Sequence, residues 1–326
     1  MELSNLDINI KKAKNILLVS HINPDGDTLG SMCALYPIIW NNYKKKCDMV
    51  AVSQIPEVYK FLPGIELVKN IEEIDNSRVY DLVINVDVAS LDRCGDAQVL
   101  FNKASVTVNI DHHGTNDSYA NLNFIDSKAA ATAELITKIA TELNWKLDKD
   151  SATCLYTGIM TDTGCFKYSN TTSDTFELAG KLLNYEISPS EIAQRCYDSN
   201  PKDMVLFQSY CLSKAKFEEC DTIGYTTVYK KDLEKYNYNG DDFTEGLVEK
   251  IRAIKTIDIA FVIKELSPTL SKLSMRSKVT DVAKICVGFG GGGHKFAAGS
   301  LIKTGVKQAT KLVLEEIYNA KKNIKK

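Results

Sequence analysis

Residues 16–31 read Ile-Leu-Leu-Val-Ser-His-Ile-Asn-Pro-Asp-Gly-Asp-Thr-Leu-Gly-Ser, and they carry the clearest fold signal in the chain. The first four are an apolar run, which is typical of a buried parallel strand. Pro24 and Gly26 then predict a tight turn among acidic residues. A helix-compatible segment follows at about 29–40. A strand that leads through a polar turn into a helix is the repeating unit of an α/β fold.

The same pattern recurs along the first half of the chain. Further strand candidates lie at 49–52, 82–87 and 106–111, and the last two end in aspartate. Alanine, leucine and isoleucine recur at helical spacing within 128–143 and 151–160. Strands that alternate with helices predict an α/β protein with a mostly parallel sheet covered by helices on both faces.

A length of 326 residues favours two domains over one. Prolines and helix-start residues gather between 187 and 201, and a connector helix is predicted at 202–214. Beyond it, strands at 222–229 and 257–266 and helices at 245–254 and 306–321 indicate a second, smaller α/β domain. We therefore divide the chain into a first domain at 1–187, a linker with its connector helix at 188–214, and a second domain at 215–326.

Charge and composition exclude several classes of protein. The 40 Lys and Arg residues nearly balance the 42 Asp and Glu residues, so there is no global positive field to hold long nucleic acid. No segment is apolar enough for a signal peptide or a membrane span. The nine cysteines are scattered and form no C-x-x-C pair. We expect a cytoplasmic protein with reduced cysteines and no membrane or long-nucleic-acid partner.

The four histidines of the chain all lie among acids or glycines. His21 is followed by Asp25 and Asp27, and His112 and His113 follow Asp111. The acids Asp87 and Asp162 complete the set, the first at the end of a predicted strand and the second after a helical run. Taken singly, these acids are ordinary turn or cap residues. Because ligand sites in open α/β sheets form outside the carboxyl ends of the strands, we expect them to converge.

Imidazoles and carboxylates without cysteine suit a metal such as Mn²⁺ better than a thiolate zinc site. The set is larger than one ion needs. Two metals about 3.5–4 Å apart would generate a hydroxide and hold both the attacking and the leaving oxygen of a phosphoryl group. The residue pattern therefore indicates a phosphoesterase.

A glycine run near the carboxyl terminus is a second candidate site. Residues 290–299 read Gly-Gly-Gly-Gly-His-Lys-Phe-Ala-Ala-Gly, and we expect the small residues to begin a helix. Bare backbone N–H groups and a helix amino end attract phosphate. Arg276, at the end of a predicted strand, is able to bind phosphate bidentately. A flexible turn and a surface arginine are the alternatives.

These motifs resemble those of the DHH superfamily of phosphoesterases. In order they are His21-x-Asn23-Pro24-Asp25-x-Asp27, then Asp87, then Asp111-His112-His113, then Asp162-Thr163-Gly164. The glycine run with His294 resembles the DHHA1 module. Over nearly its whole length the chain is similar to the oligoribonuclease (nanoRNase) and 3′,5′-bisphosphate nucleotidase branch. The resemblance implies a catalytic DHH domain at 1–187 and a substrate-binding DHHA1 domain at 215–326.

The resemblance also implies roles for individual residues. It implies one Mn²⁺ ion bound by His21, Asp25 and Asp87, and a second bound by Asp27, Asp87, His112 and Asp162, with Mg²⁺ or Co²⁺ as substitutes. His113 would contact the scissile phosphate and protonate the leaving oxygen, and Asp111 would orient His112. The terminal phosphate of the substrate would be bound by Arg276, His294 and the amides of Gly291, Gly292 and Gly293. Lys167 replaces an arginine found in relatives, and we leave it out because lysine lacks the planar fork.

The activity expected from the resemblance is a manganese-dependent hydrolysis of phosphoric esters. The substrates would be very short oligoribonucleotides, cut to mononucleotides, and pAp, dephosphorylated to AMP. Hydrolysis of pApA or cyclic di-AMP is an alternative within the same chemistry, and an inactive nucleotide-binding scaffold is an alternative of another class. The residues leave a homodimer open.

Overall fold

Apolar runs form a six-stranded sheet in the first part of the chain. The structure is a computed structural model that describes residues 3–236 and 243–324, and it divides into two units, 1–199 and 200–326. The strands of the first unit are β1 (Ile16–Val19), β2 (Cys47–Ala51), β3 (Val68–Asn70), β4 (Leu82–Val86), β5 (Val106–Asp111) and β6 (Leu122–Ile125). All neighbouring pairs run parallel, in the order β3-β2-β1-β4-β5-β6.

This strand order reverses between β1 and β4. Both strands are buried along their whole length, which explains why their residues are apolar with the single exception of Asn85. At such a reversal the connections leave in opposite directions, so a crevice opens at the carboxyl ends of the two strands. The residues that directly follow β1 and β4 therefore line the crevice.

Helices cover both faces of this sheet. Those of the first unit are α1 (Leu3–Lys12), α2 (Gly26–Tyr43), α3 (Gln98–Lys103), α4 (Thr132–Glu142), α5 (Lys149–Asp162), α6 (Ser173–Leu183) and α7 (Pro189–Tyr197). Alternate residues of β1 pack into the apolar cores on the two faces of the sheet. Leu18 packs with residues of α2, α4 and α5, and Leu17 and Val19 pack on the side of α3. Short 3₁₀ segments lie at Glu57–Tyr59, Ile65–Leu67, Ile71–Glu73, Leu91–Ala97 and, in the second unit, Glu234–Tyr236.

The second unit has a mixed sheet of its own. Its strands are β7 (Lys216–Glu218), β8 (Ile223–Val228), β9 (Ile259–Ser267), β10 (Leu270–Ser277), β11 (Gly292–His294) and β12 (Ala297–Ile302), in the order β11-β12-β10-β9-β8-β7. Only β8 and β9 among these described neighbours pair in parallel. Its helices are α8 (Lys202–Ser213), α9 (Lys230–Leu233), α10 (Leu247–Arg252), α11 (Val282–Val287) and α12 (Val306–Ile324). One face packs on α11 and α12, and the other packs on α8 and α10.

The predicted α/β class, with a parallel sheet under helices and a second α/β unit, is confirmed. The division between residues 199 and 200 falls inside the predicted linker at 188–214. The predicted connector helix exists as α8 and belongs to the second unit. Helix α2 is longer than expected and continues past Pro37. Strands β3, β6, β7 and β11 are short and were not predicted from the sequence.

One predicted element is wrong. The small residues after the glycine run do not begin a helix, because Ala297–Ile302 is a strand that pairs with both β10 and β11. Every second residue of this strand, Ala298, Ser300 and Ile302, is buried, as expected for a strand with one face toward the core. Gly299 would weaken a helix at this position. A phosphate site at a helix amino end is therefore excluded for this glycine run.

No helix of the described residues is long and apolar enough to cross a membrane. The nine cysteines are all free thiols.

Candidate metal centre

Four of the predicted site residues lie at the carboxyl edge of the parallel sheet. His21 comes two residues after β1, Asp87 directly follows β4, and Asp111 is the last residue of β5 and is followed by His112. Because β1, β4 and β5 are neighbours, their ends bring these side chains to one place. The convergence expected from the sequence is therefore observed.

The turn between β1 and α2 gives Asp25 two partners. Its Oδ1 atom accepts hydrogen bonds from the backbone N–H groups of Asp27 and Thr28, both at 3.1 Å, so it caps α2. The same oxygen lies 3.7 Å from Nε2 of His21. Asn23 enters the turn with a left-handed φ of 54°. Capping and a place in the cluster are compatible, and Asp25 does both.

The carboxylate of Asp87 faces two histidines with its two oxygens. Its Oδ2 atom lies 3.3 Å from Nε2 of His21, and its Oδ1 atom lies 3.5 Å from Nε2 of His112. The hydroxyl of Thr132 donates to Oδ1 at 3.0 Å. Asp87 is 2% exposed and has a left-handed φ of 62°. One buried carboxylate therefore stands between two groups of ligands.

In the part of the chain that the structure describes, three groups of side chains have ligand atoms within 4.8 Å of one another. The first is His21, Asp25 and Asp87, and the second is Asp27, His112 and Asp162. A third combines Asp87 and His112 with His113. All six residues predicted as metal ligands thus fall into the first two groups. Their role as ligands stays a prediction.

Hydrogen bonds fix the imidazoles of His21 and His112 with Nδ1 protonated and Nε2 directed toward the carboxylates. Nδ1 of His21 lies 2.8 Å from the carbonyl of Ile22, and Nδ1 of His112 lies 3.3 Å from that of Ala129. A carbonyl only accepts, so each Nδ1 carries the proton and each Nε2 faces the carboxylates. Their Nε2 to carboxylate separations, 3.3–3.9 Å, exceed the 2.7–2.9 Å of a charge-assisted hydrogen bond. These nitrogen and oxygen atoms, at these separations, suit divalent cations placed between them.

The pKa values of the cluster show an excess of negative charge. Burial, together with the nearby carboxylates of Asp87 and Asp162, raises the pKa of Asp27 well above its usual value. Burial also raises the pKa of Asp162 to about 7. Burial alone would lower the pKa of His112, but Asp162, Asp87 and Asp27 raise it to about 9. Bound cations would balance this charge.

Helix α4 supports Asp27 in a way that the sequence did not indicate. The backbone N–H groups of Thr132 and Ala133 donate to its carboxylate at 2.6 and 2.9 Å. These are first-turn amides of α4, whose N-cap residue is Ala131 and offers no side-chain acceptor. Gly158 of α5 lies so close that a Cβ atom there would be 2.8 Å from Oδ1 of Asp27. The helix end fixes the orientation of this carboxylate.

The structure corrects the role expected for Asp111. We expected it to orient His112, but its Oδ1 accepts from Nδ1 of His113 at 2.7 Å and from the backbone N–H of His112 at 2.8 Å. The ring of His112 is held by the carbonyl of Ala129 instead. Asp111 is fully buried and receives a further bond from Asn116 at 2.5 Å. It therefore orients His113.

The remaining predicted residues lie in the second unit. Arg276 on β10 pairs with Ala297 on β12, which in turn pairs with His294 on β11, so the three form one row across the sheet. Gly291, Gly292 and Gly293 precede His294 in this hairpin. Nε of Arg276 lies 2.7 Å from Oε1 of Glu249, a partner that the sequence analysis did not identify.

Three contributors to these sites were missed in the sequence. Thr132, Asn116 and Glu249 each contact a predicted site residue. Asn116 lies five residues beyond Asp111, and its short polar loop was the only signal available. Thr132 and Glu249 lie in helical segments and gave no local signal at all.

Comparison with known proteins places these residues in context. Residues 15–159 match the family model described as the DHH family, N-terminal domain. The chain is 30% identical over 97% of its length to a protein of Streptococcus mutans named probable bifunctional oligoribonuclease and PAP phosphatase NrnA, and it covers 97% of that protein. It is also 30% identical over 88% of its length to the Bacillus subtilis bifunctional oligoribonuclease and PAP phosphatase NrnA, of which it covers 89%.

A solved structure shares the fold. The crystal structure of an exopolyphosphatase-related protein from Bacteroides fragilis superposes with a TM-score of 0.93 at 23% identity. The match covers 99% of this chain and 97% of that one.

Proposed function

Because this chain belongs to the DHH family of phosphoesterases, and is a hydrolase of phosphoric ester bonds, we propose that it is a manganese-dependent enzyme acting on very short oligoribonucleotides and pAp. It releases mononucleotides from the former and AMP from the latter. The observation that carries this proposal is the carboxylate of Asp87, which turns one oxygen toward His21 and the other toward His112. A carboxylate in this position would hold both ions of a two-metal site.

The donor set supports two Mn²⁺ ions. His21 and Asp25 would hold one ion, Asp27, His112 and Asp162 would hold the other, and Asp87 would serve both. Imidazole nitrogens and carboxylate oxygens suit Mn²⁺, and no cysteine lies in the three ligand groups found among the described residues. When bound, the ions supply an activated water nucleophile and neutralise charge on the phosphoryl oxygens.

His113 is the proton donor in this proposal. Its Nδ1–H is bonded to Asp111, which fixes the ring, and Asp111 stabilises the protonated imidazole. The pKa of His113 is raised although burial alone would lower it, because the hydrogen bond to Asp111 and the charge of Asp87 favour the protonated form. We assign to Nε2 of His113 the proton that passes to the leaving oxygen.

The second unit binds the part of the substrate that is not cleaved. We assign a substrate phosphate to Arg276, His294 and the amides of Gly291–Gly293, on one face of the β10–β12–β11 sheet. Glu249 and the carbonyl of Met275 engage Nε and Nη1 of Arg276. Nη2 is the donor that we assign to phosphate, since a guanidinium carries five N–H groups.

Substrate size follows from charge and from the relatives. The net charge of -2 gives no long-range attraction for a polyanion, which favours substrates with few phosphates. The two curated relatives are named for oligoribonuclease and PAP phosphatase activities. We place the enzyme in the cytosol, where its nine free thiols stay reduced.

Comparing rates on four substrates tests the proposal. They are pAp, a dinucleotide, an RNA of about two dozen nucleotides and cyclic di-AMP, each measured with Mn²⁺ and with a chelator. The proposal expects kcat/KM to be highest on pAp and the dinucleotide, with no turnover under the chelator. A preference for the long RNA contradicts the proposal, and a preference for cyclic di-AMP would reassign the enzyme to second-messenger turnover. Absence of Mn²⁺ binding and turnover would leave a nucleotide-binding scaffold.

A further inference from the structure

A single backbone carbonyl next to the metal centre accepts three side-chain hydrogen bonds. The carbonyl of Val88 receives Nδ2 of Asn109 at 3.0 Å, the hydroxyl of Tyr119 at 3.1 Å and Nδ2 of Asn116 at 3.2 Å. A carbonyl oxygen has two lone pairs, so three donors hold it unusually firmly. The peptide between Val88 and Ala89, one residue beyond Asp87, is therefore fixed from three directions.

This carbonyl belongs to the residue that follows Asp87. Asp87 has a left-handed φ of 62°, a conformation that costs a non-glycine residue energy, although less for aspartate than for most others. Its own N–H donates to the carbonyl of Ile110 at 2.9 Å. Hydrogen bonds thus hold the backbone on both sides of Asp87, and this backbone sets the direction of its carboxylate.

Asn116 connects the carbonyl of Val88 to the pair formed by Asp111 and His113. Its Nδ2 donates to Val88 and also to Oδ2 of Asp111, at 3.2 and 2.5 Å. The other oxygen of Asp111 holds the ring of His113 at 2.7 Å. One amide therefore links the loop of the bridging carboxylate to the proposed proton donor.

Two buried asparagines complete the network beneath the site. Asn85 and Asn109 are directly opposite each other in the register of β4 and β5, and both are fully buried. Nδ2 of Asn85 donates to the hydroxyl of Tyr119 at 3.0 Å. The Oδ1 atoms of both asparagines are buried without a hydrogen-bond partner among the described residues. Apolar side chains would stabilise two central strands better, so packing alone does not explain these amides.

We propose that Asn109, Asn116 and Tyr119 are positioning residues that hold Asp87 in its left-handed conformation and align Asp111 with His113. The inference rests on the proposed two-metal function, because its consequence is the direction of the Asp87 carboxylate. Loss of one of these hydrogen bonds leaves every proposed ligand in the chain and changes only the orientation of the ligand side chains. Groups that orient metal ligands in this way typically change metal affinity or activity about 10- to 100-fold.

Tyr119→Phe tests the proposal, because it removes one hydroxyl from the network and keeps the ring. The matched control is Tyr80→Phe. Tyr80 packs in the same apolar cluster, but its hydroxyl bonds to Asp48 at 3.0 Å. Three quantities are measured for each variant. They are the Mn²⁺ affinity, by calorimetry without substrate; kcat and KM, with pAp as substrate; and the thermal unfolding temperature, in the presence of a chelator. Tyr119→Phe should weaken Mn²⁺ binding and lower kcat, each roughly tenfold, with KM within about twofold. Tyr80→Phe should change only thermal unfolding.

A second variant separates the two arms of the network. Asn116→Ala should lower kcat more than Tyr119→Phe does, because it also releases Asp111 and His113. Equal Mn²⁺ affinity and kcat in Tyr119→Phe, Tyr80→Phe and the wild-type protein would overturn the positioning role while leaving the proposed function intact. A wild-type protein that binds no Mn²⁺ would instead contradict the proposed function, and the inference with it.

Discussion

The Nε2 atom of His112 lies 3.5 Å from Oδ1 of Asp87, a spacing too wide for a strong hydrogen bond and suitable for a cation held between the two atoms. The other oxygen of the same carboxylate has an equivalent relationship with a second histidine. This carboxylate is buried at the end of a central strand and belongs to two of the three ligand groups, one with His21 and one with His112.

The close approach of α5 to Asp27 predicts the effect of Gly158→Ala. The added methyl group would lie 2.6 Å from Cβ of Ala133 and 2.8 Å from Oδ1 of Asp27, so α4 and α5 must separate. We expect a loss of about 1–3 kcal/mol in the free energy of unfolding, together with weaker Mn²⁺ binding. Gly180→Ala is the control, since no atom lies within 4 Å of its Cβ position in α6, and it should stabilise the protein by about 0.5–1 kcal/mol. Denaturant titrations that rank the two variants in the reverse order would contradict the packing described here.

The pKa values predict that Mn²⁺ binding releases protons. In the metal-free protein the pKa of His112 is about 9 and that of Asp162 is about 7, so at pH 7.5 the first is mostly protonated and the second partly so. Metal ligands must be deprotonated, and affinity should therefore rise as the pH rises from 6 to 9. Calorimetry at pH 7.5 in buffers of different ionisation enthalpy should detect about one proton or more released per chain. An affinity independent of pH, with no proton release, would exclude these groups as ligands.

The row formed by Arg276 and His294 predicts a selective effect on binding. Arg276→Ala and His294→Ala should each lower kcat/KM on pAp about ten- to hundredfold, the effect of losing a charge-assisted contact of about 1.5–3 kcal/mol. The loss should be smaller on a model diester without a terminal phosphate, and Mn²⁺ content should not change. Equal losses on both substrates, or loss of metal, would refute phosphate binding by this row.

The positions of the candidate ligands could be predicted from the sequence for a simple reason. His21, Asp87 and His112 follow strands that are mainly apolar, and the carboxyl ends of parallel strands share one edge of the sheet. Local patterns of this kind need no knowledge of distant contacts. The two-unit division is likewise indicated by length and by the prolines near residue 200.

The features that were missed depend on contacts between distant parts of the chain. Thr132 binds Asp27 across 105 residues, and no local pattern marks that contact. The residues of β12 suit a helix or a strand by composition, and pairing with β10 decides the outcome. The sequence also could not show which of the adjacent residues His112 and His113 is bonded to the side chain of Asp111. That depends on how the two rings are oriented at the end of β5.

Asp87→Ala tests the shared carboxylate most directly, through the number of Mn²⁺ ions bound per chain and kcat on pAp at saturating Mn²⁺. The control is Asp92→Ala, an exposed carboxylate in the segment that follows the same strand. We expect the wild-type protein and the control to bind two ions per chain with similar kcat. Asp87→Ala should bind fewer ions and lose more than about 99% of turnover, because the removed carboxylate would hold both ions. Two tightly bound ions in Asp87→Ala, with more than about a tenth of wild-type kcat, would contradict a two-metal centre built on this residue.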